Sequence, residues 1–174
     1  MDQINTAAAK LKLVAMDVDG VLTNGSVTYD SNGVEHKSFS IKDGLGIKLL
    51  QRAGLRVAFI TGRSSPMVER RAAELGVTDV IQGREDKLTA LLEMAALAGC
   101  TLEEAAYMGD DLPDLAAVKS AALGACPADA VDLLRDAADY VTTTPGGLGA
   151  VREWAEVLLR ARGEWQTLIE TYDQ

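Results

Sequence analysis

The alternation of short apolar runs with segments of helical periodicity constrains this chain more than any other feature. Apolar runs of strand length occur at 11–15, 56–61, 77–82, 105–108 and 123–126, with a shorter one at 140–142. Segments with helical spacing lie at 43–54, 64–74, 86–97, 112–121, 131–137 and 150–162. Because strands that alternate with helices form right-handed βαβ units, the sequence predicts a three-layer α/β fold with a mostly parallel, Rossmann-like sheet.

Residues 24–40 interrupt the alternation. Asn32-Gly33 lies between two β-prone runs there, and Asn-Gly is the strongest short signal for a β-hairpin. A lone hairpin is marginal in water, so we expect it to project from the sheet and to pack on something. Only this hairpin and one helix fit between the first two strands, which leaves no room for a cap domain. We therefore expect a single domain over 1–174 with a hairpin at about 24–40.

Composition excludes several classes of function. The chain has 174 residues and a formal net charge of −9, which argues against nucleic acid as a partner. No apolar run is long enough to span a bilayer, and residues 1–10 lack the basic and apolar regions of a secretory signal. Cys100 and Cys126 follow no metal-ligand spacing, so we expect free thiols and a cytoplasmic protein with no membrane partner.

Two carboxylates mark the end of the first predicted strand. Asp17 and Asp19 follow the apolar run at 11–15, within the string Met-Asp-Val-Asp-Gly-Val-Leu-Thr at 16–23. Ligands of open parallel sheets bind beyond the carboxyl ends of the strands. Two like charges so close together are costly unless a cation binds them. A generic Asp-x-Asp is more often an acidic loop, but the full string is far more specific.

Three further strand ends carry residues suited to phosphate chemistry. Thr61-Gly62-Arg63 offers a hydroxyl and a glycine amide to an oxyanion. Lys87 begins a helix, and Asp110 lies in the acidic string at 109–114. Alone, each has an ordinary explanation as a turn, a solvated lysine or an acidic helix start. Together and in this order they favour a phosphate site with Mg²⁺, because hard cations prefer oxygen ligands.

These four pieces resemble the motifs of the haloacid dehalogenase-like phosphatases, and the resemblance covers nearly the whole chain. It implies that Asp17 is a nucleophile that forms an aspartyl-phosphate, with Asp19 as general acid and then base. It also implies that Asp17, the backbone carbonyl of Asp19, and Asp110 hold Mg²⁺. Thr61, Gly62 and Lys87 would bind the phosphoryl oxygens.

The hairpin, the segment Ser-Ile-Lys-Asp-Gly at 40–44 and the glycine-rich segment at 146–153 resemble one branch, the 3-deoxy-D-manno-octulosonate 8-phosphate phosphatases. Members of that family lack a cap, act in lipopolysaccharide biosynthesis and form homotetramers through their hairpins. The resemblance implies substrate contacts from Asp19, Ser40, Ile41, Lys42, Asp43, Gly44, Lys48, Arg63, Arg71 and Lys87.

Two positions depart from that family. Lys42 and Lys48 stand where arginine is common, and a lysine cannot offer the planar fork that arginine presents to a carboxylate. A phosphatase of a nonulosonate 9-phosphate, such as 2-keto-3-deoxynononate or an N-acylneuraminate, therefore remains an alternative, as does a catalytically silent assembly module. Cyclic packing of hairpins would place a neighbouring chain at the site, with the tail from Gly163 as a second candidate contributor.

Overall fold

A six-stranded parallel sheet forms the centre of the computed structural model, which describes residues 2–173. The strands are, in chain order, β1 Leu13–Met16, β2 Thr28–Tyr29, β3 Glu35–His36, β4 Arg56–Ile60, β5 Asp79–Ile81, β6 Ala105–Met108, β7 Leu123–Cys126 and β8 Tyr140–Val141. The sheet order is β5-β4-β1-β6-β7-β8. In register, Val14 of β1 lies beside Val57 and Ala106. The predicted α/β class is confirmed.

Helices cover both faces of this sheet. They are α1 Asp2–Ala8, α2 Ile41–Arg52, α3 Pro66–Leu75, α4 Lys87–Leu97, α5 Leu115–Ser120, α6 Asp132–Ala137, α7 Ala150–Ala161 and α8 Trp165–Glu170. Alternate β1 residues enter two separate cores: Val14 packs with α2 and α7 residues such as Trp154, and Leu13 packs with α4 residues such as Leu91. Two cores around one sheet give the three layers that the sequence predicts. Within residues 2–173, no helix combines the length and apolar character needed to cross a bilayer.

The predicted hairpin is present, with strands of only two residues each. β2 pairs antiparallel with β3, and Asp30 Oδ1 accepts the N–H groups of Asn32 and Val34 across the tip at 2.8 and 2.9 Å. Gly33 at the tip has φ 78°, a conformation that favours glycine. The Asn-Gly signal therefore located the turn correctly, although few backbone bonds support the strands.

Among the helix boundaries that differ from the predicted ones, two starts are explained by side-chain caps. α2 begins at Ile41 rather than 43, because Ser40 is its N-cap and accepts the N–H of Asp43 at 3.4 Å. The segment predicted as a helix from 112 begins as a 3₁₀ turn at Leu112–Asp114, and α5 follows it. Asp111 caps that turn by accepting the N–H of Leu112 at 2.7 Å. Both differences arise from side-chain caps.

Candidate active site

A cavity of about 320 Å³ lies at the carboxyl ends of β1, β4 and β6. It is at the point where the chain, having added β4 and β5 on one side of β1, continues with β6 on the other, which is where open α/β sheets bind ligands. Its lining includes the predicted catalytic, phosphate-binding and metal-binding side chains: Asp17, Asp19, Thr61, Gly62, Lys87 and Asp110. The fold thus brings these separate sequence motifs into one place.

Asp17 is held by the backbone at the end of β1. Its N–H donates to the carbonyl of Met108 on β6 at 2.9 Å, and its Oδ1 accepts the N–H of Val18 at 2.7 Å. Gly20 follows with φ 92°, and a Cβ there would lie 2.0 Å from Asp110 Oδ2. Glycine is thus required at this position, because the turn brings the backbone against the acidic loop.

Lys87 is a buried cation at the start of α4. Its Nζ lies 3.0 Å from Asp17 Oδ1 and 3.2 Å from Asp114 Oδ1, and it donates to the carbonyl of Ile60 at 3.0 Å. The side chain is 2% exposed. A buried ammonium is tolerated only when paired and hydrogen-bonded, and three acceptors meet that need here. Lys87 therefore joins the ends of β1, β4 and the acidic loop.

Asp114 is a site residue that the sequence analysis did not single out. Its Oδ1 accepts the hydroxyl of Tyr107 at 2.6 Å, and its Oδ2 accepts the N–H groups of Asp110 and Asp111 at 3.1 and 3.3 Å. Its side chain is 1% exposed. The spacing of four residues after Asp110, across a capped turn, was the available signal. Asp114 orients both Lys87 and the loop that carries Asp110.

The acidic cluster fits a divalent cation. Carboxylate oxygens of Asp17, Asp110 and Asp114 all lie within 4.8 Å of one another. Burial, followed by the charge of Asp17, raises the pKa of Asp110 to about 8. Burial, followed by the charge of Asp114, raises the pKa of Asp17 to about 7. A cation at Asp17 and Asp110 would relieve this repulsion, and Asp114 already has other partners.

The phosphate-binding candidates line the same cavity. Thr61 is buried, and its N–H donates to the carbonyl of Ile81 at 2.9 Å, which fixes its place at the end of β4. Its Oγ1 accepts the N–H of Arg63 at 3.3 Å and so tightens the turn. With Lys87, this turn places a hydroxyl, glycine amide and ammonium around the space beside Asp17.

The hairpin contributes charged residues that the sequence analysis also missed. Lys37, just after β3, forms an ion pair with Asp19 Oδ1, and its Nζ lies 3.7 Å from Glu35 Oε1. Glu35 in turn pairs with Arg63 at 2.6 Å. The available signal was the alternation along β3, which puts 35 and 37 on one face and 36 on the other.

Most of the predicted sugar-binding residues lie outside this cavity. Of that set, Asp19, Arg63 and Lys87 line it, whereas Ser40, Ile41, Lys42, Asp43, Gly44, Lys48 and Arg71 do not. Asp43 is buried, and its two oxygens accept the N–H groups of Gly149 and Arg152 at 3.2 and 2.9 Å. Arg71 donates to the carbonyl of Ser40 at 3.3 Å. Their contact with substrate stays a prediction.

The fold and the site together define a haloacid dehalogenase-like hydrolase. A family model described as haloacid dehalogenase-like hydrolase matches residues 76–151. The 3-deoxy-D-manno-octulosonate 8-phosphate phosphatase of Haemophilus influenzae is 44% identical over 154 residues, covering 88% of this chain and 86% of that protein. The same enzyme of Escherichia coli K12 is 42% identical over 157 residues, covering 90% and 84%.

Solved structures agree with these relatives. The phosphatase of this name from Moraxella catarrhalis, in complex with magnesium ion, phosphate ion and KDO, is 47% identical with a TM-score of 0.96, and the match covers 99% of both chains. A cobalt-bound form from Haemophilus influenzae is 40% identical with a TM-score of 0.91, covering 97% of this chain and 99% of that one. The chain belongs to the family of the 3-deoxy-D-manno-octulosonate 8-phosphate phosphatases.

Proposed function

We propose that this protein is a Mg²⁺-dependent phosphatase that removes phosphate from 3-deoxy-D-manno-octulosonate 8-phosphate. The observation that carries the proposal is the position of Asp17, between the buried ammonium of Lys87 at 3.0 Å and the acidic cluster with Asp110. Such a carboxylate has a cation on one side and a metal site on the other. The family relatives described above support the same reaction.

In the proposed mechanism, a carboxylate oxygen of Asp17 attacks phosphorus, and the bond between phosphorus and the sugar oxygen breaks. Asp19 gives a proton to the departing alkoxide and so becomes a carboxylate. Asp19 then takes a proton from water, whose oxygen attacks the phosphorus of the aspartyl-phosphate and releases inorganic phosphate. Atoms and charges balance over the two steps, and both carboxylates return to their starting states.

Positive charge must offset the repulsion between an anionic nucleophile and an anionic phosphate. Lys87 supplies one charge, and the hydroxyl of Thr61 and the amide of Gly62 supply oriented dipoles. Mg²⁺ held by Asp17, Asp110 and the carbonyl of Asp19 would supply the rest when bound. The same cation would keep Asp17 ionised at neutral pH, although burial raises its pKa to about 7.

The carboxylate of the sugar acid needs cationic partners, and we propose Arg63 as the one in the chain's own cavity. Arg63 is bonded to Glu35 and is accessible to solvent at the rim. The other candidates, Ser40–Gly44, Lys48 and Arg71, do not line this cavity, and we propose that a neighbouring chain brings them to the substrate. We therefore propose a homotetramer whose hairpins complete the sites.

Exposed apolar side chains support assembly through the hairpin. Val27, Tyr29 and Val34 are exposed large apolar side chains on it. A projecting element with such residues is stabilised by a partner surface. The tail from Gly163 is a second candidate contributor to assembly.

We also propose that 1–174 form one domain and that the protein is cytoplasmic. The single parallel sheet supports the former, and the two free cysteines support the latter.

The test is phosphate release from a panel of phosphorylated compounds, each with Mg²⁺ and with a chelator. The panel contains 3-deoxy-D-manno-octulosonate 8-phosphate, a nonulosonate 9-phosphate, a neutral sugar phosphate and p-nitrophenyl phosphate. We expect the octulosonate ester to give the largest kcat/KM, with loss on chelation and recovery with Mg²⁺. A larger value for the nonulosonate ester would assign the alternative substrate, and inactivity on all four would support an assembly module.

A further inference from the structure

We propose that Lys37 is a positioning residue for the reaction. Its ammonium holds Oδ1 of Asp19 and so fixes the orientation of this carboxyl group at the cavity. This role rests on the proposed function, in which Asp19 exchanges protons with the leaving alkoxide and with water. It also gives the hairpin a function within its own chain's site, in addition to any contact with a neighbouring chain.

The burial of Lys37 is the first observation. The hairpin is mostly exposed, yet the side chain of Lys37 is 2% exposed, and its ammonium pairs with Asp19 and approaches Glu35. Lysine is rarely buried without partners, because desolvation of the ammonium is costly. An apolar side chain could anchor a surface hairpin without the cost of desolvating an ammonium group. The cation is placed instead against a carboxylate that lines the cavity.

The unequal surroundings of the two Asp19 oxygens are the second observation. Oδ1 accepts from Lys37, whereas Oδ2 is buried and has no hydrogen-bond partner among the described residues. A buried carboxylate oxygen without a partner is unfavourable, and such atoms are typical of functional sites. Because Lys37 occupies one oxygen, rotation of the carboxylate is restricted and the other oxygen has a defined direction.

The third observation is the continuation of this ion pair toward the rim. Glu35 lies 3.7 Å from Lys37 and 2.6 Å from Arg63, so the charges alternate from Asp19 through Lys37 and Glu35 to Arg63. One face of the hairpin thus links Asp19, the proposed acid and base, to Arg63, the proposed partner of the substrate carboxylate. On the opposite face, His36 is exposed and lies 3.7 Å from Asp30.

A double-mutant cycle tests the role. Lys37→Met keeps a long unbranched side chain and removes the charge, and it is made in the natural chain and in an Asp19→Asn background. If Lys37 acts through Asp19, Lys37→Met should lower kcat on the sugar-acid phosphate on the order of tenfold to a hundredfold, as for a misplaced catalytic group. KM should change by less than about threefold. In the Asp19→Asn background, the same change should alter kcat by less than about twofold.

His36→Ala is the matched control, because it changes the neighbouring residue on the hairpin's outer face, and we expect natural kcat and KM from it. Equal kcat losses from Lys37→Met in both backgrounds, or a change in KM alone, would overturn the positioning role. Melting temperature and solution mass are measured for each variant. If Lys37→Met does not fold, Lys37→Gln replaces it, and if neither folds, Lys37 anchors the fold and the proposal is overturned. Inactivity of the natural chain on every phosphate is a different outcome, because it contradicts the proposed function itself.

Discussion

Asp17 has a cation at bonding distance on one side and like charges on the other. Lys87 lies 3.0 Å from its Oδ1, and oxygens of Asp110 and Asp114 lie within 4.8 Å. An Asn in its place would keep the shape and lose both the attacking electron pair and the charge that binds metal. Lys87 would still have Asp114 and the carbonyl of Ile60 as acceptors.

We therefore expect Asp17→Asn to fold normally and to lose several orders of magnitude in kcat, as for a covalent nucleophile. The matched control is Asp111→Asn, which lines the same cavity and caps the turn at Leu112, a task that Asn also performs. Phosphate release from the sugar-acid phosphate measures both. Turnover near the natural value in Asp17→Asn would refute the covalent mechanism.

The raised pKa values of Asp17 and Asp110 predict how stability depends on pH. Both values, about 7 and about 8, lie above the ordinary value of 3.8, so the folded chain binds protons more tightly than the unfolded chain. The resulting stabilisation is complete below pH 4 and is lost as pH rises toward 8. Other carboxylates with lowered pKa values contribute in the opposite direction at lower pH.

In a chelator, we expect the melting temperature to fall between about pH 6 and pH 8, and to fall less in Asp110→Asn, which lacks one of the two groups. Mg²⁺ binds the ionised carboxylates, so it should raise the melting temperature more at pH 8 than at pH 6. Thermal unfolding at both pH values, with and without Mg²⁺, gives the answer. If the melting temperature fell equally with pH in the natural chain and in Asp110→Asn, the raised pKa of Asp110 would be contradicted.

At the scale of elements, one buried carboxylate joins α2 to the start of α7 beside their apolar contact. Asp43 accepts the N–H groups of Gly149 and Arg152, which belong to the start of α7 and would otherwise lack intrahelical partners. Burial of a carboxylate raises its pKa, and these bonds partly offset that effect. Asp43 therefore has a structural task whether or not it also contacts substrate.

We expect Asp43→Ala to lower the free energy of unfolding by about 1–3 kcal/mol, because it leaves buried donors unpaired. Lys42→Ala, at the neighbouring exposed position, should change it by less than about 0.5 kcal/mol. Urea unfolding with Mg²⁺ absent separates stability from catalysis. A natural unfolding midpoint for Asp43→Ala would show that the contact contributes little.

Elements with strong local signals were predictable from the sequence. The parallel strands and the helices between them follow from apolar runs with glycine stops, and the hairpin follows from Asn-Gly. α1 and α8 were not predicted, because they have only seven and six residues, too few for a clear periodic pattern of apolar residues. Such short helices are stabilised mainly by packing against the rest of the protein. Lys37 and Asp114 were missed because their roles depend on partners distant in the chain or on cap geometry, which spacing does not reveal.

At the scale of the whole molecule, the sugar-binding candidates divide into two groups. Arg63 lines the cavity of its own chain. Arg71 lies on α3 outside that cavity, with its guanidinium 5.9 Å from the ring of Phe39. In the proposed assembly, a neighbouring chain brings Arg71 to a site. In the same proposal, Arg63 acts within its own chain.

We expect Arg63→Ala and Arg71→Ala both to reduce kcat/KM on the sugar-acid phosphate more than on p-nitrophenyl phosphate, which lacks a carboxylate. The loss on the sugar ester should be on the order of tenfold or more, as for a charged hydrogen bond. Arg70→Ala, beside Arg71 on the exposed face of α3, is the control. An equal loss on both substrates would argue that these arginines do not bind the carboxylate of the sugar acid.

The hairpin is the element through which we expect chains to assemble, and assembly would bring the second group of sugar-binding candidates to a site. Val27, Tyr29 and Val34 expose apolar surface on an element held by few backbone bonds, and a closed ring of hairpins would bury that surface. We expect the natural chain to scatter light as a tetramer and a chain with 27–34 shortened to a tight turn to dissociate. Since the shortened chain keeps Asp17, Lys87 and Asp110, it should retain p-nitrophenyl phosphate turnover and lose most activity on the sugar ester. The shortened chain keeps Glu35 and Lys37, so that loss of the ion pair between Lys37 and Asp19 does not explain the result. A monomer with full sugar-phosphate activity, in either form, would show that each chain completes its own site.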